Sequence, residues 1–152
     1  MKHVPTLLAA ALLAMCADAS AASTPTTDQL EAHLWQLVRA TDAQGSRIDA
    51  MFVRRRPPYT LRFQGRFMNQ LNLCNASSST YHLQGDRLIL EGGIITTAAC
   101  IRAEVAEQER VAGTLVRART AMTLALDPRG RLLLRTAHGD VLVFAPMPVT
   151  DR

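Results

Sequence analysis

From Tyr59 to Phe144 the chain is written mostly as short stretches of alternating apolar and polar residues, and this pattern constrains the fold more than any other feature. In YTLRF (59–63) the apolar Tyr59, Leu61 and Phe63 alternate with Thr60 and Arg62, as a half-buried strand requires. GRFMNQLNL continues after a break at Gly65. TYHLQGDRLILE reads as a hairpin with Gly85-Asp86 at its tip. AMTLALD and RLLLRT flank the turn PRG, and GDVLVF follows a second turn at His138-Gly139-Asp140. Gly92-Gly93 reads as a hinge between elements. Between Ile101 and Ala118 the period changes to that of a helix. There Ile101, Val105, Ala112 and Leu115 form the apolar face, and Arg102, Glu104, Glu107 and Arg110 the polar one. The pattern predicts one α+β domain: a compact, mainly antiparallel β fold with one packed helix inserted late. The segment from Gln29 to Asp42 fits either a helix, through Leu30, Leu34, Leu37 and Val38, or a strand, through Leu34, Gln36 and Val38. Trp35 is expected to anchor the core.

Upstream of this pattern, Met1-Lys2-His3 and the apolar run from Val4 to Met15 have the layout of a secretory signal, too short to span a bilayer. Cleavage is expected at Ala19-Ser20-Ala21. That divides the chain into a signal peptide (1–21), a flexible leader (22–29) and a folded domain (30–148). LAMC, ending at Cys16, resembles the lipobox of acylated lipoproteins, with Met15 where a small residue is usual. Lipidation at Cys16 is the alternative to its removal with the signal. No later stretch has the length of a membrane helix.

The net charge of +4 and isoelectric point near 9.5 invite a nucleic-acid reading. The basic residues are scattered, however, and aromatic residues are only 5% of the chain, so no platform for stacking bases is evident. No nucleic-acid partner is expected.

Once the signal is removed, Cys74 and Cys100 remain, and an even count in an exported chain favours a disulfide between them. A catalytic thiolate would need a base, for which His82 is the nearest histidine. A zinc site would need ligands at tight spacing, whereas His33, His82 and His138 lie far apart. No metal, cofactor or catalytic residue is expected.

Taken in order, Trp35-Gln36-Leu37, YTLRFQGRF, Cys74-Asn75, Tyr81, RLIL, TTAAC, an acidic helix and the closing GDVLVF resemble the META domain, the HslJ-like family. The resemblance runs from about Leu34 to Phe144, and its most specific part is Cys-Asn followed by Thr96-x-x-x-Cys100. It implies a β-barrel-like fold with a packed helix and an exported or membrane-anchored protein tied to stress or antibiotic tolerance, with no established catalysis. Two family glycines are replaced, one by Leu73 and one within SSST, which puts a tight backbone turn there in doubt.

Three features are candidates for function. Asn75, Ser77, Ser78 and Ser79 are read as a polar loop, either a binding rim or a solvated turn in which Asn75 caps the local backbone. Arg54-Arg55-Arg56 is the one dense basic run, suited to anionic surfaces such as lipid headgroups, or else a solvated loop. Glu104, Glu107 and Glu109 are read as a solvated helical face. The function expected is a non-enzymatic binding or support role in the bacterial envelope, with an envelope protein or lipid as partner. The alternatives are a lipid-binding or pilotin-like module, and a secreted hydrolase inhibitor contacting its target through residues 75–80.

Overall fold

The computed structural model describes residues 21–149; residues 1–20, which hold Cys16 and nearly all of the expected signal segment, and the last three residues lie outside it. Eight antiparallel strands close into a barrel in which each strand pairs with its sequence neighbours and the last returns to the first. They are β1 (His33–Thr41), β2 (Thr60–Gln64), β3 (Phe67–Leu71), β4 (Ser77–Gln84), β5 (Arg87–Ile95), β6 (Ala121–Leu126), β7 (Leu132–Arg135) and β8 (Val141–Pro148). Helix α1 (Thr27–Glu31) precedes them, and helix α2 (Ala103–Leu115) lies in the connection from β5 to β6. Closure removes the unpaired edges of an open sheet, and eight strands leave an interior just wide enough to be filled by side chains. Here Trp35, Tyr59, Phe63, Leu61, Met68, Leu88, Leu124 and Phe144 fill it, all essentially inaccessible to solvent.

The expected β2–β3 and β4–β5 hairpins form where the sequence places them. Gln64 pairs with Phe67 around Gly65-Arg66, and Gln84 with Arg87 around Gly85-Asp86. Gly85 has φ +62°, the positive value that the first position of a II′ turn demands. The PRG turn is held by Asp127, whose Oδ1 accepts from the amides of Arg129 and Arg131, both at 2.9 Å.

Four expectations require correction. The ambiguous segment is a strand, and its inner face carries Trp35, Leu37 and Ala40 rather than Leu34, Gln36 and Val38; a bulge between Leu37 and Arg39 shifts the parity. The leader is not free chain. Thr26 caps α1 in a reciprocal box with Gln29, and Ser23 exchanges backbone hydrogen bonds with Leu126. Gly92-Gly93 is no hinge but the continuation of β5, whose Gly93 faces Ser79 across a bulge in β4. Finally, α2 begins only after Arg102, which is still extended, so Ile101 lies outside the helix and is 98% exposed.

Candidate functional site

The Cys74–Cys100 disulfide is present, with Cα atoms 5.8 Å apart. It joins the segment after β3 to the segment before α2, and Asn75 reinforces it. Asn75 is buried rather than projecting. Its Nδ2 donates to the Ala98 carbonyl (3.2 Å) and to Glu109 Oε1 (3.0 Å). Its Oδ1 accepts from the Ala98 amide (2.7 Å) and from Thr96 Oγ1 (3.0 Å), and its own amide donates to Glu109 Oε2. Asn75 thus clamps the stretch from Thr96 to Cys100 and the middle of α2 to one point. The reading of Glu109 as part of a solvated face is corrected: it is half-buried and serves this clamp.

The polar loop is corrected as well. Ser77, Ser78 and Ser79 belong to β4, paired with Gln70, Asn69 and Met68 of β3 on one side and with Ile95, Ile94 and Gly93 of β5 on the other. All three are half-buried, with Ser78 on the face of the sheet opposite to Ser77 and Ser79, and they form no loop. His82 does not serve Cys74 either: the Cys74 sulfur is bonded to Cys100, and His82 Nδ1 lies 3.4 Å from Glu91 on β5. Cys74, Cys100 and Glu109 gather three ligand-type atoms, but both sulfurs are consumed in the bridge, so no thiolate is available to hold a metal.

Arg54, Arg55 and Arg56 lie on the segment between a short 3-10 turn (Asp49–Met51) and β2, with Pro57-Pro58 fixing the backbone beyond them. Arg54 and Arg55 are exposed, while Arg56 is half-buried and reaches the carbonyls of Asn72 and Leu73 through Nη2 at 3.4 and 3.3 Å. Three surface hollows meet around this segment. One, of about 270 Å³, lies between it and the barrel wall and is lined by Arg47, Arg54, Arg56, Tyr59, Met51 and Gln108, among others. A second, of about 280 Å³, adds Arg102, Glu104 and Glu107, and a third, of about 420 Å³, lies against the disulfide between Arg56 and Arg102. Several neighbouring charges are already paired: Arg47 with Asp49 (2.7 Å), Arg102 with Glu104 (2.5 Å) and Arg110 with Glu107 (2.6 Å). Hydrogen bonds from its own amide and from Arg102 hold the Glu104 carboxyl below its ordinary range, and Arg110 does the same for Glu107. Tyr59, at the base of the first hollow, donates its hydroxyl to Gln70 Oε1 (2.6 Å), and burial pushes its phenol far up, so it stays neutral.

Gln108, Glu109 and Arg102 are the site residues that the sequence reading missed. Gln108 and Glu109 follow Val105 by three and four residues and precede Ala112 by four and three. They therefore occupy positions of the apolar stripe, and a polar residue there signals a buried partner.

The sequence matches the META domain over residues 28–148. Two solved structures share the fold. One, the NMR structure of a protein from Burkholderia xenovorans, has a TM-score of 0.64 and 18% identity and covers 97% of this chain and 99% of that one. The other, also an NMR structure, has a TM-score of 0.59 and 18% identity and covers 84% of this chain and 99% of its own. At these identities the likeness concerns the fold alone. No curated protein matches the chain.

Proposed function

The chain belongs to the META domain family, and from that premise we propose that it is an exported, non-enzymatic binding domain of the bacterial envelope, where it supports tolerance of stress or antibiotics. The carrying observation is the Cys74–Cys100 bridge, built into a buried hydrogen-bonded clamp. A structural disulfide of this kind belongs to an oxidising compartment, in agreement with the signal-like first 21 residues. Among the described residues both cysteines have a structural use, and no histidine base lies beside Cys74.

The rival readings are less well supported. A lipid carrier of the barrel type needs room inside the barrel, and that interior is filled by Trp35, Tyr59, Phe63 and Phe144. An inhibitor acting through residues 75–80 needs a projecting loop, and those residues lie in a clamp and a paired strand. The arginine segment with its hollows is the better candidate for contact.

Intact-mass spectrometry of the protein from the envelope of its native host tests the proposal. We expect a chain beginning at Ala22, two hydrogens lighter than its reduced form, or one beginning at an acylated Cys16. Recovery from the cytosol at full length, with Cys74 and Cys100 both free thiols, would sink it.

A further inference from the structure

Among the described residues, three buried side-chain polar atoms lack a partner: Arg56 Nε, Tyr81 Oη and Gln108 Oε1. Two of the three belong to residues that line the same hollow of about 270 Å³. Gln108 is 2% exposed, and its Nε2 donates to the Met51 carbonyl at 2.9 Å, which fixes the amide and leaves Oε1 an acceptor without a donor. Arg56 holds its Nη2 on two backbone carbonyls and leaves Nε a donor without an acceptor. Buried polar groups are ordinarily satisfied, so an unmet donor and an unmet acceptor on two residues that line one hollow point to a molecule that presents both complements. Charge narrows its class. Arg54 and Arg56 have no carboxylate partner among the described residues, whereas Arg47 is paired with Asp49. Two uncompensated guanidiniums match a dianion better than a single carboxylate, and a cationic donor for Gln108 would be repelled.

We propose that this hollow binds a small phosphate ester carrying a neighbouring hydroxyl. The phosphate lies on Arg56 and Arg54, the hydroxyl donates to Gln108 Oε1, and Phe52, Val53 and Pro57 supply the apolar wall. The hollow falls just short of the roughly 300–1,000 Å³ of typical ligand sites, which limits the occupant to a small head group. The chemistry is that of a phosphoglycerol unit, whether free in solution or as a lipid headgroup. This inference rests on the reading of the chain as a binding domain and supplies its ligand class.

The test is titration of the disulfide-bonded protein, followed by NMR, with glycerol 3-phosphate and with inorganic phosphate. A parallel arm measures sedimentation with vesicles of phosphatidylglycerol against vesicles of phosphatidylcholine. Saturable shifts at Arg56 and Gln108 with glycerol 3-phosphate mark a free ligand, and selective sedimentation with phosphatidylglycerol a headgroup. Gln108→Leu is expected to weaken the hydroxylated probe about tenfold, the worth of one hydrogen bond to a buried group, while changing inorganic phosphate by less than about twofold. Arg54→Gln, on an exposed side chain, is expected to weaken both phosphates about fivefold without disturbing the fold. No saturable response to either probe and no vesicle selectivity would overturn the proposal. So would a response that both variants leave unchanged. Either failure leaves the export reading untouched, because that reading is tested by mass and compartment alone.

Discussion

Asn75 places both ends of its side-chain amide in hydrogen bonds that no neighbouring residue can replace. Truncation to alanine leaves the Ala98 amide and carbonyl without their side-chain partner, and Glu109 with only the Asn75 backbone amide, in a half-buried place. Each such loss costs about 1–3 kcal/mol, so we expect Asn75→Ala to lower the stability by about 3 kcal/mol in urea denaturation. Ser78→Ala, on the neighbouring sheet surface, is expected to change it by less than ~0.5 kcal/mol. Equal costs for the two would remove Asn75 from its role as clamp. Asp127 carries a different signature. Burial alone would raise its carboxyl, but the Arg131 amide and guanidinium and the Arg129 amide together hold it below the ordinary value of 3.8. A depressed folded value means that the unfolded chain binds more protons. The contribution is therefore present above pH ~4 and lost as the pH falls through and below that ordinary value. Asp127→Asn is expected to cost about 1 kcal/mol at pH 7, from the hydrogen bonds it weakens, and almost nothing near pH 2. Melting curves across that range check it, and a gap that persists at pH 2 would show that charge plays no part.

Within β5 the decisive position is Gly93. A Cβ built there would collide with the carbonyl oxygen of Ser78 and lie 2.8 Å from the Cα of Ser79, both backbone atoms that cannot step aside. A Cβ at Gly92 meets nothing. We expect Gly93→Ala to destabilise by about 2–3 kcal/mol and Gly92→Ala by less than ~0.5 kcal/mol, read from denaturant midpoints. Similar values for the two would mean that the bulge relaxes freely. This glycine also shows where the sequence is legible. The β2–β3, β4–β5 and β6–β7 hairpins could be read directly, because turn chemistry and period-two alternation are local properties. The need for Gly93 arises from a strand fourteen residues away, so locally it looked like a hinge. The start of α2 was misread for a related reason. Ile101 has the right spacing from Val105, but the bridge at Cys100 and the extended Arg102 hold the chain out of the helix. Of the candidate site, the cysteine pairing follows from cysteine parity and the signal-like first residues. The inward turn of Asn75, Gln108 and Glu109 does not, because it depends on which faces of the barrel and α2 meet.

Across its described residues the molecule is a closed barrel with a continuous apolar interior, tied by a covalent bridge across a sequence separation of 26 residues. These two features divide the work of stability differently. The interior acts on the folded state, through apolar surface removed from water. In the chain-entropy account the bridge acts mainly on the unfolded state, and a loop of this length contributes about 3.5 kcal/mol. Domains of this size have roughly 5–15 kcal/mol in total, so losing the bridge alone does not exhaust the rest. Nor does it free the linked segments, since Asn75 still holds Thr96 and Ala98, and Gln108 still holds Met51. We therefore expect the reduced protein to keep its barrel, with unchanged near-ultraviolet dichroism from the enclosed Trp35, but to unfold at lower urea by an amount equivalent to about 3.5 kcal/mol. Cys74→Ser with Cys100→Ser should reproduce the reduced protein. Loss of the Trp35 signal on reduction would show instead that the interior is insufficient without the bridge. A midpoint unmoved by reductant would show that the clamp and the closed sheet already impose the whole constraint, leaving the bridge no stabilising part in the isolated domain.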